Sequence, residues 1–410
     1  MITGERLVTG LDITSTHTCA VVLSESAKHA NEPPAARVLG VGLSATEGMR
    51  NETVTNLEAT REAVHICLRE AELMAGREVD SVFVGLSGRH VDLTYSTGIV
   101  AISGAEVVAS DVRRVQEVGR AVPIPTEREL LHAIPQGYSV DHRPGIQDPV
   151  GMAGTRLETE ICIVTAASTA CRDLRKAVDR AGYRVREIVL RPIATAWAVL
   201  EERERKGGVA LVEIGGASTE VAVFEGDRIM RLFTVPYGAR SVSSDIVKGL
   251  GVPPDEAERI KERYGVALTK LAQPDDKIEV SGPMPGAKRR VSAELLAHII
   301  EQRMDEIFGL IYEDLDEQSL LDVLGTGLVL TGAGASMPGT LELAQNVFNL
   351  PVRTGEPGIG MSGLADAVRR PKFATSVGLA AYGGQRTRRN GRGPLRRVVK
   401  KTNAWLKDFF

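Results

Sequence analysis

Aromatic side chains are scarce in this chain, at 4% of 410 residues, while glycine is abundant at 42. That balance disfavours a β-sandwich and favours layered α/β structure. The four cysteines, Cys19, Cys67, Cys162 and Cys171, show no C-x-x-C spacing, and three lie in apolar runs. Buried thiols in a reducing compartment account for them, with no zinc or redox motif required. No window reaches the roughly 18 consecutive apolar residues of a membrane span. Residues 1–11 lack the apolar core of a signal peptide, so a cytoplasmic location is expected. Neither G-x-x-x-x-G-K-[ST] nor G-x-G-x-x-G occurs, which removes the P-loop and the dinucleotide fingerprint. The length calls for about two to four compact units.

What is present is a pair of similar segments. Leu11-Asp12-Ile13-Thr14-Ser15-Thr16 leads into Ala20-Val21-Val22-Leu23, and Val212-Glu213-Ile214-Gly215-Gly216-Ala217-Ser218-Thr219 leads into Val221-Ala222-Val223-Phe224. Each reads as a buried strand ending in one carboxylate, a turn of small and hydroxyl residues, and a second apolar strand. A carboxylate so placed can hold a metal-bound water, and the turn's N–H and hydroxyl groups can wrap a phosphate. Two copies predict a duplicated α/β domain with one nucleotide between its halves. A third glycine turn, Thr331-Gly332-Ala333-Gly334-Ala335, follows the apolar run Gly327–Leu330.

Between these landmarks the texture predicts a helix over Asn56–Met74, a buried strand over Ser81–Leu86, and an inserted α+β unit from Val84 to Glu160. Regular alternation resumes with a strand at Ile161–Thr165, a helix at Ser168–Ala181 and a strand at Val185–Leu190. The second half repeats the plan with a different insertion, which includes a long amphipathic helix at Ser292–Leu315. The compact fold is expected to end near Gly384, with Gln385–Pro394 as a flexible Arg/Gly-rich linker.

The net charge of −3 divides into +8 from Arg386 onward and −11 before it. In the tail, Leu395, Val398, Val399, Thr402, Trp405, Leu406, Phe409 and Phe410 fall on about 140° of a helix. Arg396, Arg397, Lys400, Lys401 and Lys407 occupy the opposite arc. An anionic membrane surface suits this pattern, since each cation near it adds roughly 1 kcal/mol and the rings supply interfacial burial. Nucleic acid does not, because the rings lie away from the cations and cannot interleave with them.

The order of hairpin, insertion, Pro-Ile-Ala-Thr-Ala helix, hairpin, insertion and T-G-A-G-A turn resembles the actin, Hsp70 and sugar-kinase superfamily. Leu130–Tyr138, Asp148–Met152 and Gly154–Glu158 resemble the subdomain 1C insertion of the bacterial FtsA family, which actin and Hsp70 lack. Glu256–Lys261 resembles the superfamily's adenosine-side helix, and Phe373–Ala380 its closing connector helix. The resemblance implies an actin-like (ribonuclease H-like) two-lobed duplicated fold with an inserted 1C subdomain and a C-terminal amphipathic helix. It divides the chain into subdomain 1A (1–83 and 161–203), 1C (84–160), 2A (204–243 and 325–384), 2B (244–324), a linker (385–394) and a membrane-targeting helix (395–410).

The same resemblance implies ATP and Mg²⁺ as cofactors. Asp12 and Glu213 would hold the metal through water, Thr14, Ser15 and Thr16 would line the phosphates, and Gly215, Gly216, Ser218 and Thr219 would close from the other lobe. Glu258 and Lys261 would meet the ribose and adenine. Gly332, Gly334 and Ala335 would let backbone pass close to the base and α-phosphate. Thr14 and Glu213 depart from the family's usual Gly and Asp. Arg191 stands where active superfamily ATPases often place a Glu or Gln that orients water. These departures predict ATP binding with slow or absent hydrolysis.

The implied partners are the C-terminal peptide of FtsZ, with Arg289, Arg290 and Arg303 as candidate anchors, copies of the chain in head-to-tail filaments, an anionic membrane, and later division proteins through 1C. The implied location is the cytoplasmic face of the cell membrane at the division site. A PilM-like adaptor of pilus or secretion machinery and a sugar-kinase-type phosphotransferase are the competing readings.

Overall fold

The computed structural model describes residues 6–26, 35–226, 228–273, 275–282 and 288–390. Two five-strand sheets repeat one plan. In the first, strand Arg6–Ile13 pairs antiparallel with His17–Ser26, which pairs antiparallel with Ala35–Ala45. On its other side Arg6–Ile13 runs parallel to Ser81–Leu86, and that strand to Arg184–Leu190. In the second, Val209–Ile214 pairs antiparallel with Thr219–Glu225 and that with Arg228–Val235, while Leu328–Thr331 and Val352–Thr354 extend the sheet in parallel. A short sixth strand, Ser362–Gly363, joins the edge of the first sheet beside Ala35–Ala45. The duplication expected from the paired hairpins is therefore present strand for strand. Strands Val209–Ile214 and Leu328–Thr331 are buried along their whole length, as their unbroken apolar runs require.

Helix Leu57–Ala75 covers the first sheet. Its start is set by the Asn56 side chain, which accepts the N–H groups of Glu58 and Ala59, and its end by Gly76 in the left-handed region at φ 62°. Val64, Cys67, Leu68 and Ala71 form its buried stripe. In the second lobe the long helix Ala293–Glu317 buries Ile300, Met304, Phe308 and Ile311 against Val212, Ile214 and Val221. A further apolar cluster runs between the lobes, uniting Val8 and Phe83 of the first, Ile193 and Ala196 of the helix Arg191–Val199 that joins them, and Leu211 and Phe224 of the second. Helix Ala374–Asn390 crosses the joining helix with backbone almost touching: a Cβ on Gly378 would lie 1.8 Å from the Ala194 carbonyl oxygen.

Two boundaries differ from expectation. The inserted unit is a four-stranded sheet ordered Val91–Ala101, Arg156–Ala167, Arg128–Val140, Arg143–Ile146, with helix Ala109–Arg120 packed against it. Residues 161–165, expected to belong to the first lobe, are the second half of Arg156–Ala167, which pairs with Val91–Ala101 along its length. Ser81–Leu86, whose last residues were assigned to the insertion, is a first-lobe strand throughout. The second correction concerns the linker expected from Gln385. The last helix continues through Asn390, because Gln, Arg and Thr there are compatible with helix and the first breaker is Gly391. Arg386 fastens this extension to Glu187 at 3.3 Å. The segment 395–410, expected to target the membrane, lies outside the described residues. Among the described residues no helix is long and apolar enough to cross a membrane.

Candidate nucleotide site between the paired hairpins

The two hairpin turns face each other. In the first, Thr14 closes its own turn: its hydroxyl accepts the N–H groups of Thr16 and His17 and donates to the His17 carbonyl at 2.8 Å. The hydroxyl thus fastens a turn for which the family resemblance led us to expect glycine. Ser15 donates to Glu52 Oε1 at 3.2 Å and accepts the Glu52 N–H at 3.0 Å. In the second turn, Gly215 N donates to the Ser218 carbonyl. The carbonyls of Gly215 and Gly216 accept the N–H groups of Ala239 and Arg240, which seats this turn on the start of helix Ala239–Leu250. Thr16 and Gly216 meet across the cleft, where a Cβ on Gly216 would lie 2.1 Å from Thr16 Cγ2.

Asp12, Thr14, Glu213, Gly215, Gly216, Ser218 and Gly332 line one small cavity between the lobes. Its volume is about 10 Å³, enough for about one water. Ser15, Thr16, Thr219, Glu258, Lys261, Gly334 and Ala335 do not line it. The Thr219 hydroxyl donates to the Tyr237 carbonyl. Gly332, at φ 84°, and Gly334 approach Ile214 closely, where a Cβ would meet Ile214 O at 2.5 Å and Ile214 Cγ2 at 2.3 Å respectively. These glycines therefore let the third turn pack on the end of strand Val209–Ile214. Ala335 is buried beside them. Glu258 and Lys261 pair at 2.7 Å on helix Pro254–Tyr264, and both bond Ser243 of the neighbouring helix, away from the cavity wall. Of the candidate partner anchors, Arg289 and Arg290 are exposed on strand Lys288–Ser292, while Arg303 is paired with Asp245 and Glu306.

Arg191 occupies the centre of the site. It opens the joining helix, with Pro192 fixing the first turn. Its buried guanidinium lies 3.1 Å from Asp12 Oδ1 through Nε, 3.4 Å from Glu52 Oε2 through Nη1 and 2.8 Å from Glu213 Oε1 through Nη2. Glu213 also accepts hydroxyl hydrogens from Thr195 at 3.0 Å and Thr375 at 2.7 Å. Burial opposes the charge on Arg191, yet Asp12, Glu213 and Glu52 together hold its pKa above the ordinary arginine value. Burial pushes the Asp12 carboxyl up, to about 7, while Arg191 pulls it back. His17 is pushed down to about 4 by burial, Arg191 and Lys372.

Glu52, His17, Glu220 and Lys372 also line the cavity and were not expected there. Glu52 arrives on a tight turn between the two-residue strands Met49–Arg50 and Thr53–Val54, with Asn51 at φ 48° and Glu52 at φ 58°. Both central residues are left-handed, as a type I′ hairpin turn demands, but glutamate is an uncommon choice there. The asparagine was the one sequence cue. The Asp12 and Glu213 carboxylates, expected to hold Mg²⁺ through water, are bridged by the guanidinium instead. A magnesium ion wants near-octahedral oxygen ligands at about 2.0–2.1 Å and keeps several waters. Among the described residues no group of three or more His, Cys, Asp or Glu side chains is placed to hold a metal ion. As arranged, these residues do not fit hydrated magnesium.

Two lobes of one duplicated plan, joined by crossed helices and facing each other through paired turns, define an actin-like fold. The fold agrees with solved structures. The type IV pilus complex of PilM and PilN matches with TM-score 0.64 at 16% identity, covering 92% of this chain and 98% of that one. MreB5 of Spiroplasma citri bound to ADP matches with TM-score 0.56 at 12% identity, covering 95% and 99%. The family model "Cell division protein FtsA" matches residues 210–378, and "SHS2 domain inserted in FTSA" matches residues 88–165. The cell division protein FtsA of Pseudomonas aeruginosa is 38% identical over 381 residues, 93% of this chain and 90% of that protein. The chain belongs to the FtsA family of cell-division proteins.

Proposed function

We infer that this chain is an ATP-binding scaffold of the division machinery, in which nucleotide acts as an assembly switch and turns over slowly or not at all. The observation that carries this reading is the place of Arg191. A guanidinium held by Asp12, Glu52 and Glu213 cannot accept a proton from attacking water. ATP enters when Thr16 and Gly216 part, the lobes turning about the crossing of Ala194 and Gly378. Copies then assemble head to tail at the cytoplasmic membrane of the division site. Residues 395–410 hold the filament on anionic lipid, the unit 244–324 takes the acidic C-terminal peptide of FtsZ, and the inserted unit recruits later division proteins. Exposed Ile99, Val108 and Val118 on that inserted unit offer apolar surface for such partners.

Co-sedimentation with anionic vesicles tests the tether, comparing the full chain with a form ending at residue 390, each with and without ATP. The cut is placed after the last described helix, so that no described element is removed. The full chain is expected to pellet with vesicles and the shortened form to stay in solution. Equal pelleting of both removes the tether.

A further inference from the structure

Arg191 meets three acidic side chains that come from three separate segments: the end of strand Arg6–Ile13, the strained Asn51–Glu52 turn, and the end of strand Val209–Ile214. Each guanidinium nitrogen faces a different one, and Nη1 also donates to Ser87 Oγ at 3.4 Å. Space for the side chain is made by Gly85, where a Cβ would lie 2.8 Å from Arg191 Cγ and 3.2 Å from Asp12 Oδ1. The arrangement is thus built into both lobes and the helix between them. Arg191 itself is 4% exposed.

We propose that the Arg191 guanidinium is the resident counter-cation of the nucleotide site, standing where a divalent ion would otherwise be needed, so that this chain binds nucleoside triphosphate without magnesium. The proposal rests on the reading that nucleotide enters between the hairpins. A polyphosphate cannot approach Asp12, Glu52 and Glu213 unless a positive charge lies among them. Arginine serves because its charge is permanent and its planar fork satisfies several carboxylates at once. Lys372, on the wall of the same cavity, adds a second fixed positive charge. Unlike a metal ion, neither can dissociate. The three acids already have their cation, and the site lacks the oxygen cluster that would recruit another.

The test is calorimetric titration of the full chain with ATP, once in excess Mg²⁺ and once in EDTA, repeated with R191Q. The wild-type dissociation constants are expected to agree within about threefold, a small part of the binding free energy. R191Q is expected to lose about tenfold or more in EDTA and to regain most of it when Mg²⁺ is added. Wild-type binding that weakens about tenfold or more in EDTA overturns the proposal while leaving the nucleotide reading intact. So does R191Q binding ATP in EDTA as the wild type does. Binding in neither condition overturns the nucleotide reading itself. Should R191Q fail to fold, the wild-type pair of titrations decides alone.

Discussion

Thr16 of the first lobe and Gly216 of the second are in contact, so closely that a Cβ on Gly216 would lie 2.1 Å from Thr16 Cγ2 and 2.7 Å from its Oγ1. The lobes therefore meet at the two turns expected to wrap phosphate. On the proposed reading, closure and nucleotide occupancy use the same few ångströms.

Gly216→Val exploits that contact. A branched side chain there props the hairpins apart without entering either lobe's core, since Gly216 is only partly buried. Thermal stability is expected to stay close to wild type. Small-angle scattering should report a more open molecule, and ATP affinity should fall by about tenfold. An unchanged scattering profile would show that the turns do not limit closure.

Glu220 gives a pH-dependent prediction. Burial raises its pKa from 4.5 to about 7, with Arg191 pulling the other way, and its oxygens accept the hydroxyls of Ser218 and Thr234. Between pH 4.5 and 7 the folded state keeps a proton that the unfolded chain has released. Its contribution to stability is therefore full below pH 4.5, declines as pH rises to 7, and is constant above. Glu220→Gln removes this dependence. Relative to wild type, the variant should gain about 3 kcal/mol between pH 4.5 and pH 8 in urea unfolding. A difference that does not change with pH would show that Glu220 is not buried as described.

The legible part of the fold and the obscure part have different physical origins. The duplication could be read from the chain because each hairpin is local: apolar strand, terminal carboxylate, hydroxyl turn, apolar strand. Helix Leu57–Ala75 was legible for the same reason, from its apolar residues at helical spacing. The extent of the inserted unit was not, because strand Arg156–Ala167 runs straight into helix Ser168–Arg180. Its pairing with Val91–Ala101 on one side and Arg128–Val140 on the other assigns it to the inserted sheet. Arg191 could be singled out by position, but its three acids could not. Glu52 lies on a strained turn 139 residues earlier in the chain. The roles expected of Glu258, Lys261 and Gly334 came from resemblance, and the structure gives each a partner within its own lobe.

The proposed FtsZ contact divides the three candidate arginines. Arg303 is paired with Asp245 and Glu306 and stacks over the Tyr237 ring at 5.0 Å, so it serves the second lobe's own packing. Arg289 and Arg290 are exposed. The double variant R289E/R290E is expected to weaken binding of the acidic FtsZ C-terminal peptide by about tenfold or more in fluorescence anisotropy. Arg303→Ala should lower the melting temperature instead. Equal affinity for the double variant and wild type would move the peptide site elsewhere.

We expect Arg191 to make this site hold ATP without hydrolysing it. Phosphate release by the purified full chain at saturating ATP, with binding stoichiometry measured on the same sample, tests it most directly. About one ATP bound per chain with turnover below about 0.1 s⁻¹, far under the median enzyme rate, is the predicted result. Turnover near about 10 s⁻¹ would contradict it.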